Sequence, residues 1–188
     1  MEDQRVPDLP KILERRQVAE SRLFRIEELD LEFSNGQRAR YERVLGTGEG
    51  AVMVVAMPDP ATVLLVREYA AGVDRYELGL PKGRIEPGEE PLATANRELM
   101  EETGYAARKL RELGTLSIAP GYIGHSTRLI LARDLYRQRE TGDEPEPIEV
   151  VPWPLAAIRE LFDSGECSEA RSIAALYLTR EYLNHESD

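Results

Sequence analysis

The sequence predicts an α/β domain, and three observations carry that expectation. Short apolar, strand-like runs recur between residues 51 and 151. Three segments, 89–103, 155–163 and 168–183, carry a helical pattern instead. The third observation is size: 188 residues fit one domain with a short appendage, and 41% hydrophobic with 31% charged residues is ordinary globular usage.

Residues 1–20 are polar and charged, and predict a loosely tied arm. Residues 22–34 lead into Asn35-Gly36, followed by a run ending near Leu45. Asn-Gly between two such runs predicts a hairpin, because both central residues of a type I′ turn take positive φ. Ala51 to Met57 is almost unbrokenly apolar and predicts a buried strand. Pro58-Asp59-Pro60 ends it, and Thr62 to Glu68 predicts the strand that returns. Mixed glycine and charge from Gly72 to Gly88 predicts loop. Further strands are expected at 110–118 and 126–135, with Pro120-Gly121 between them, and a last one at Ile148 to Val151 after an acidic loop.

Charge narrows the function classes. Lys and Arg number 24 against 35 Asp and Glu, a net charge of −11, which argues against binding bulk nucleic acid through its phosphates. A phosphate ligand would need neutralising by something other than the protein's net charge, and a divalent metal is the obvious candidate. Cys167 is the single cysteine, so no intrachain disulfide and no cysteine-based zinc site can form. The first residues lack the apolar core of a secretory signal, and no run approaches the roughly 18–20 apolar residues of a membrane span. A cytoplasmic protein without a membrane partner is the expectation.

The segment from Glu89 to Thr103 predicts a helix with Pro91 in its first turn and Gly104 as its stop. On it Leu92, Ala95 and Leu99 fall within about 60° of one another, an apolar stripe expected to face the core. Glu98, Glu101 and Glu102 fall within about 100° on another side. Like charges at this spacing repel by up to about 0.5 kcal/mol per pair, and their place at the C-terminal end also opposes the helix dipole. The cluster is either a solvated face or a cation site. Mg²⁺, which takes oxygen ligands, suits the second reading. Pro81-Lys82-Gly83 and Pro87-Gly88 bracket a tight loop feeding the helix, where backbone groups can meet an anion or lend a carbonyl to a metal.

Gly83, five residues, Glu89, seven residues, and then Arg97-Glu98-Leu99-Met100-Glu101-Glu102-Thr103-Gly104-Tyr105 resemble the signature of the Nudix hydrolases at every fixed position. Beyond the signature, Ser21-Arg22-Leu23-Phe24, LEFSNG from Leu31, LVREYA from Leu65, YELG from Tyr76, GDEPEP from Gly142, WPL from Trp153 and EAR from Glu169 resemble the NudE branch, over nearly the whole chain except residues 1–16. The resemblance implies the Nudix fold, a mixed β-sheet in an α/β/α sandwich. An arm and hairpin over residues 1–45 would form a dimerisation element, and residues 46–188 the hydrolase domain.

It also implies hydrolysis of nucleoside diphosphates linked to another moiety, by attack of water on phosphorus. Glu98, Glu101 and Glu102 would surround Mg²⁺ or Mn²⁺, and Lys82 would lend its backbone carbonyl. Arg97 would pair with a carboxylate, Glu89 would support the loop–helix junction, and Leu99 and Leu92 would be core. The acidic loop resembles one in ADP-ribose pyrophosphatases, which would make Glu144 the general base and Glu146 a helper of the metal. Glu101 is the alternative base, and His125 a weaker third candidate. As residues alone, GDEPEP also fits a solvated turn, Phe24 a core aromatic and Arg84 a solvated cation. Under the resemblance Phe24 would stack on adenine and Arg84 would reach the diphosphate.

Pro120, 16 residues beyond Gly104, is placed as in ADP-ribose hydrolases, and Tyr122 resembles a tyrosine of diadenosine polyphosphate hydrolases. Related pyrophosphatases carry Gln-Tyr-Arg where this chain has Glu68-Tyr69-Ala70, so an arginine expected at the substrate is missing. The expected substrates are therefore a range of ADP-linked compounds, ADP-ribose, diadenosine polyphosphates and NADH, released as AMP or ADP. The expected assembly is a homodimer. Two other readings stand beside this one: a Nudix hydrolase of nucleotide sugars or capped RNA ends, and a non-catalytic nucleotide sensor.

Overall fold

The computed structural model describes residues 8–46, 48–142 and 145–186. These separate into two compact units, one holding residues 8–46 with 119–125, the other 48–118 with 126–186.

The first unit is a four-stranded sheet in the order β1 (Lys11–Glu20), β2 (Arg25–Glu32), β3 (Arg38–Leu45), β9 (Ile123–Gly124). The expected loose arm is in fact β1, paired antiparallel with β2 along its length. It has no apolar period to betray it, because charge rather than burial ties it to its neighbours. Arg16 bonds Glu28 and lies 3.1 Å from Asp30, and Arg40 reaches Asp30 at 3.0 Å from the other side. The Asn-Gly hairpin is present between β2 and β3, with a different turn. Gly36 N–H donates to Phe33 C=O at 2.9 Å, Gln37 N–H donates to Asn35 Oδ1 at 3.0 Å, and only Gly36 takes positive φ, +79°. A three-residue loop therefore replaces the type I′ turn.

The second unit centres on a mixed sheet ordered β11 (Glu149–Pro154), β5 (Thr62–Ala70), β4 (Ala51–Asp59), β10 (Ser126–Arg137), β8 (Tyr105–Ser117). β4 and β10 run parallel and the other neighbours antiparallel. Two short strands, β6 (Arg75–Gly79) on β5 and β7 (Lys82–Arg84) on β4, occupy much of the span expected to be loop. β4 continues through Pro58, and the turn falls at Pro60-Ala61, where Asp59 Oδ1 accepts the N–H of Ala61 and Thr62 at 2.8 and 2.9 Å.

Alternation along β4 divides the core in two. Val52, Val54 and Ala56 join Ile130, Ala132, Ala95 and Leu99 beneath helix α1 (Pro91–Thr103). Met53, Val55 and Met57 join Leu129, Leu131, Ile158, Leu161 and Leu176 beneath helices α2 (Ile158–Asp163) and α3 (Ala170–Glu186). This is the α/β/α sandwich with a mixed sheet that the resemblance implies. A strand covered on both faces loses the polar alternation of a surface strand, which explains the continuous apolar run of β4. The EAR segment fastens the last layer: Glu169 accepts the Ser172 N–H at 2.7 Å at the start of α3, and Arg171 donates to Thr127 Oγ1 at 2.8 Å.

Candidate active site

α1 begins at Pro91, which needs no N–H partner in the first turn, and ends at Gly104 with φ +73° and its N–H bonded to Met100 C=O at 3.1 Å. Ala95 and Leu99 are fully buried, as the stripe predicts. Leu92 is not core but 40% exposed: it lies in the first turn of the helix, outside the buried cluster that Ala95 and Leu99 join.

The three helix carboxylates divide between two cations. Arg97 Nη1 lies 2.8 Å from Glu98 and 2.9 Å from Glu101. The same guanidinium grips both oxygens of Glu89 at 3.0 and 3.1 Å and donates to the Arg84 carbonyl at 3.2 Å. Arg97 thereby bolts the loop to the helix, and its hydrogen bonds bring the Glu89 carboxyl down to about 2. Glu102 turns the other way, receiving the Lys82 backbone N–H at 3.3 Å, while the Lys82 ammonium is held by Glu68 of β5.

Burial makes this arrangement electrostatically tense. Glu98 is 8% exposed and Glu102 3%. Desolvation, reinforced by Glu68 and Glu98, pushes the Glu102 carboxyl well above the usual range. The Lys82 ammonium resists its own desolvation because Glu68 and Glu102 face it, and its pKa is raised. Gly83 explains its place beside this cluster: a Cβ there would overlap the Glu98 carboxyl group.

The donors fit a hard divalent cation. Five carboxylates, Glu68, Glu89, Glu98, Glu101 and Glu102, meet two cations, Lys82 and Arg97, so negative charge is in excess, and every acidic donor is oxygen. Among the described residues no three acidic, imidazole or thiol side chains stand together as a ready coordination sphere.

Glu101 opens onto a cleft of about 550 Å³ that Glu146 also lines. Glu146 accepts a hydrogen bond from the hydroxyl of Tyr76, whose ring meets Tyr69 edge-on at 5.8 Å. Glu101 and Glu146, two of the carboxylates that the resemblance places near the reaction, thus share one cleft. Glu144 lies outside the described residues.

Arg84, on β7, is exposed and pairs with Glu86 at 2.9 Å. Phe24 belongs to the first unit, where it is 58% exposed rather than core. Tyr122 and His125 belong to that unit too; Tyr122 is exposed, and its carbonyl accepts the Val44 N–H at 2.8 Å. Sequence reasoning missed Glu68. Its place in Glu68-Tyr69-Ala70 registered only as the site of a missing arginine, whereas its own charge faces Lys82 and Glu102.

Comparison with known proteins bears on this geometry. Residues 10–43 match the model of the NudE-type Nudix hydrolase N-terminal domain, and residues 48–171 that of the NUDIX domain. The chain is 48% identical over 174 residues to the ADP compounds hydrolase NudE of Escherichia coli (strain K12), covering 93% of both. It is 32% identical to the ADP-ribose pyrophosphatase of Bacillus subtilis (strain 168), covering 88% of this chain and 92% of the other. A crystal structure of an ADP compounds hydrolase superposes with a TM-score of 0.89 at 46% identity, covering 97% of this chain and 98% of that one.

Proposed function

Because the chain belongs to the Nudix hydrolases, with an N-terminal region of the NudE type, we propose that it hydrolyses the pyrophosphate linkage of ADP-ribose, diadenosine polyphosphates and NADH, releasing AMP or ADP. Nudix hydrolases generally use divalent metal ions, and Mg²⁺ or Mn²⁺ is the ion proposed here. The observation that carries the reading is the tense carboxylate centre, where Glu98 rests on Gly83 and buried Glu102 faces Lys82. A binding module would have no need of such repulsion.

Glu98, Glu101, Glu102 and the Lys82 carbonyl would hold the metal, with Glu146 in support. When bound, the ion neutralises diphosphate oxygens and makes the attacking water more acidic. The chain's own residues do the rest. Glu144 would accept the proton of that water, with Glu101 as the alternative, each having the carboxylate such a base requires. Arg97 fixes the Glu98 and Glu101 rotamers, so the charges stand in place before substrate arrives. Phe24 would stack on adenine and Arg84 would reach the diphosphate. The exposed Leu13, Val18, Leu23, Phe24 and Tyr41 of the N-terminal unit support a homodimer formed through that unit. Among the described residues no helix is long and apolar enough to cross a membrane; a cytoplasmic setting is part of the proposal.

Product analysis tests the reading. The purified protein with Mg²⁺ is offered ADP-ribose, diadenosine triphosphate, NADH and a nucleotide sugar separately. AMP or ADP is expected from the adenine compounds, and EDTA is expected to abolish its release. Turnover of the nucleotide sugar alone would move the substrate class, and nucleotide binding with no turnover would identify a sensor.

A further inference from the structure

Arg139 follows β10 and lines the same cleft as Glu101 and Glu146. Its backbone is pinned on both sides to the end of α1: Gln138 N–H donates to Gly104 C=O at 3.2 Å, and Glu140 N–H donates to Met100 C=O at 3.5 Å. Its aliphatic stem stands over Gly104, where an added Cβ would meet Arg139 Cβ, Cγ and Cδ at 3.9 Å. The arginine is therefore carried on a rigid base, with its stem already placed.

Among the described residues the head is left without a carboxylate or ring partner. Every other described arginine of this unit has a carboxylate or an aromatic ring within reach: Arg67, Arg75, Arg84, Arg97, Arg108, Arg128, Arg133, Arg159, Arg171 and Arg180 have carboxylates, and Arg111 and Arg137 have rings. Among the described residues Arg139 has neither, although Glu101, Glu140 and Glu146 line its cleft, and it is the only cation on that lining. A planar guanidinium anchored at its stem and unpaired at its head is suited to gripping phosphate through two parallel hydrogen bonds.

We infer that Arg139 is a substrate-binding residue whose guanidinium grips the diphosphate in the cleft beside Glu101. It supplies positive charge that the missing arginine of the Glu68-Tyr69-Ala70 segment does not. The inference rests on the hydrolase reading for its substrate, but it is tested by binding as well as by turnover.

ADP is titrated calorimetrically into the wild type, Arg139→Gln and Arg139→Lys in the presence of Mg²⁺, and KM and kcat for ADP-ribose are measured in parallel. The loss of these charge-assisted hydrogen bonds predicts a Kd for ADP and a KM about tenfold higher or more in Arg139→Gln. The unfolding midpoint should stay unchanged, and Arg139→Lys should recover part of the loss. A cation serving only the helix end would lower the midpoint and leave Kd in place, which would overturn the inference. Equal Kd in a stable Arg139→Gln protein would overturn it too. A wild type that binds ADP through Arg139 and cleaves nothing would keep the inference and sink the hydrolase reading; a wild type that does not bind ADP would sink both.

Discussion

Glu102 shows how one side chain answers two demands. Its burial opposes its charge, so a neutral isostere relieves the fold while disabling the centre. Glu102→Gln should keep or raise the unfolding midpoint and lower kcat about 100-fold or more, measured on the same preparation. Gly83→Ala should act through a different residue: the new methyl displaces the Glu98 carboxyl, and turnover falls although no acid has been removed. A stable Gly83→Ala enzyme with wild-type kcat would mean that Glu98 is not needed in its present position. Glu89 carries a pH dependence. Its folded pKa of about 2 lies below the ordinary 4.5, so its pair with Arg97 stabilises the protein above about pH 4.5 and is lost as pH falls towards 2. Since Glu89 is one-fifth exposed, the effect is on the order of 1 kcal/mol after screening. Midpoints of wild type and Glu89→Gln measured against pH should differ at neutrality and converge near pH 2. At this scale the carboxylates of the helix were legible from spacing, and so was Arg97, which pairs with Glu98 and Glu101 on the same helix. Glu68 was not: it meets Lys82 and Glu102 from β5, and linear distance does not encode that meeting.

Helix α1 was legible almost to the residue, because its start, stop and period are all local signals. Its buried face was only partly so. Leu99→Ala should cost about 2–5 kcal/mol in urea denaturation, since Leu99 is fully enclosed between helix and sheet. Leu92→Ala should change stability by less than about 0.5 kcal/mol, its side chain being largely in water. Angular position on a helix gives a side; what packs against each turn decides how much of that side is covered. β4 and β5 were equally readable from unbroken apolarity. β6 and β7 were not, because short strands rich in glycine and charge look like loop until β5 and β4 take up their backbone groups. Glu77 on β6 illustrates the cost of missing them. Almost buried, it accepts hydrogen bonds from the Ser168 N–H at 3.1 Å and from the Ser168 hydroxyl, joining a strand to the segment before α3.

Over the whole chain, the two units store their structure in different chemistry. The larger one is specified by apolar pattern, which is why its sandwich was readable. The N-terminal unit has few buried residues; Leu29 and Leu31 are its enclosed apolar side chains among the described residues. There the sign of charge supplies what hydrophobicity does not. Across β2 and β3 the register sets Glu27 against Arg43, Asp30 against Arg40 and Glu32 against Arg38. Sliding β3 by one residue would set Glu27, Asp30 and Glu32 against neutral or like-charged neighbours, besides turning β3's own side chains to the other face. The hairpin thus carries an address written in opposite signs on its two strands. A single charge reversal there would act as a misprint in alignment, and the strands could then read one another out of frame.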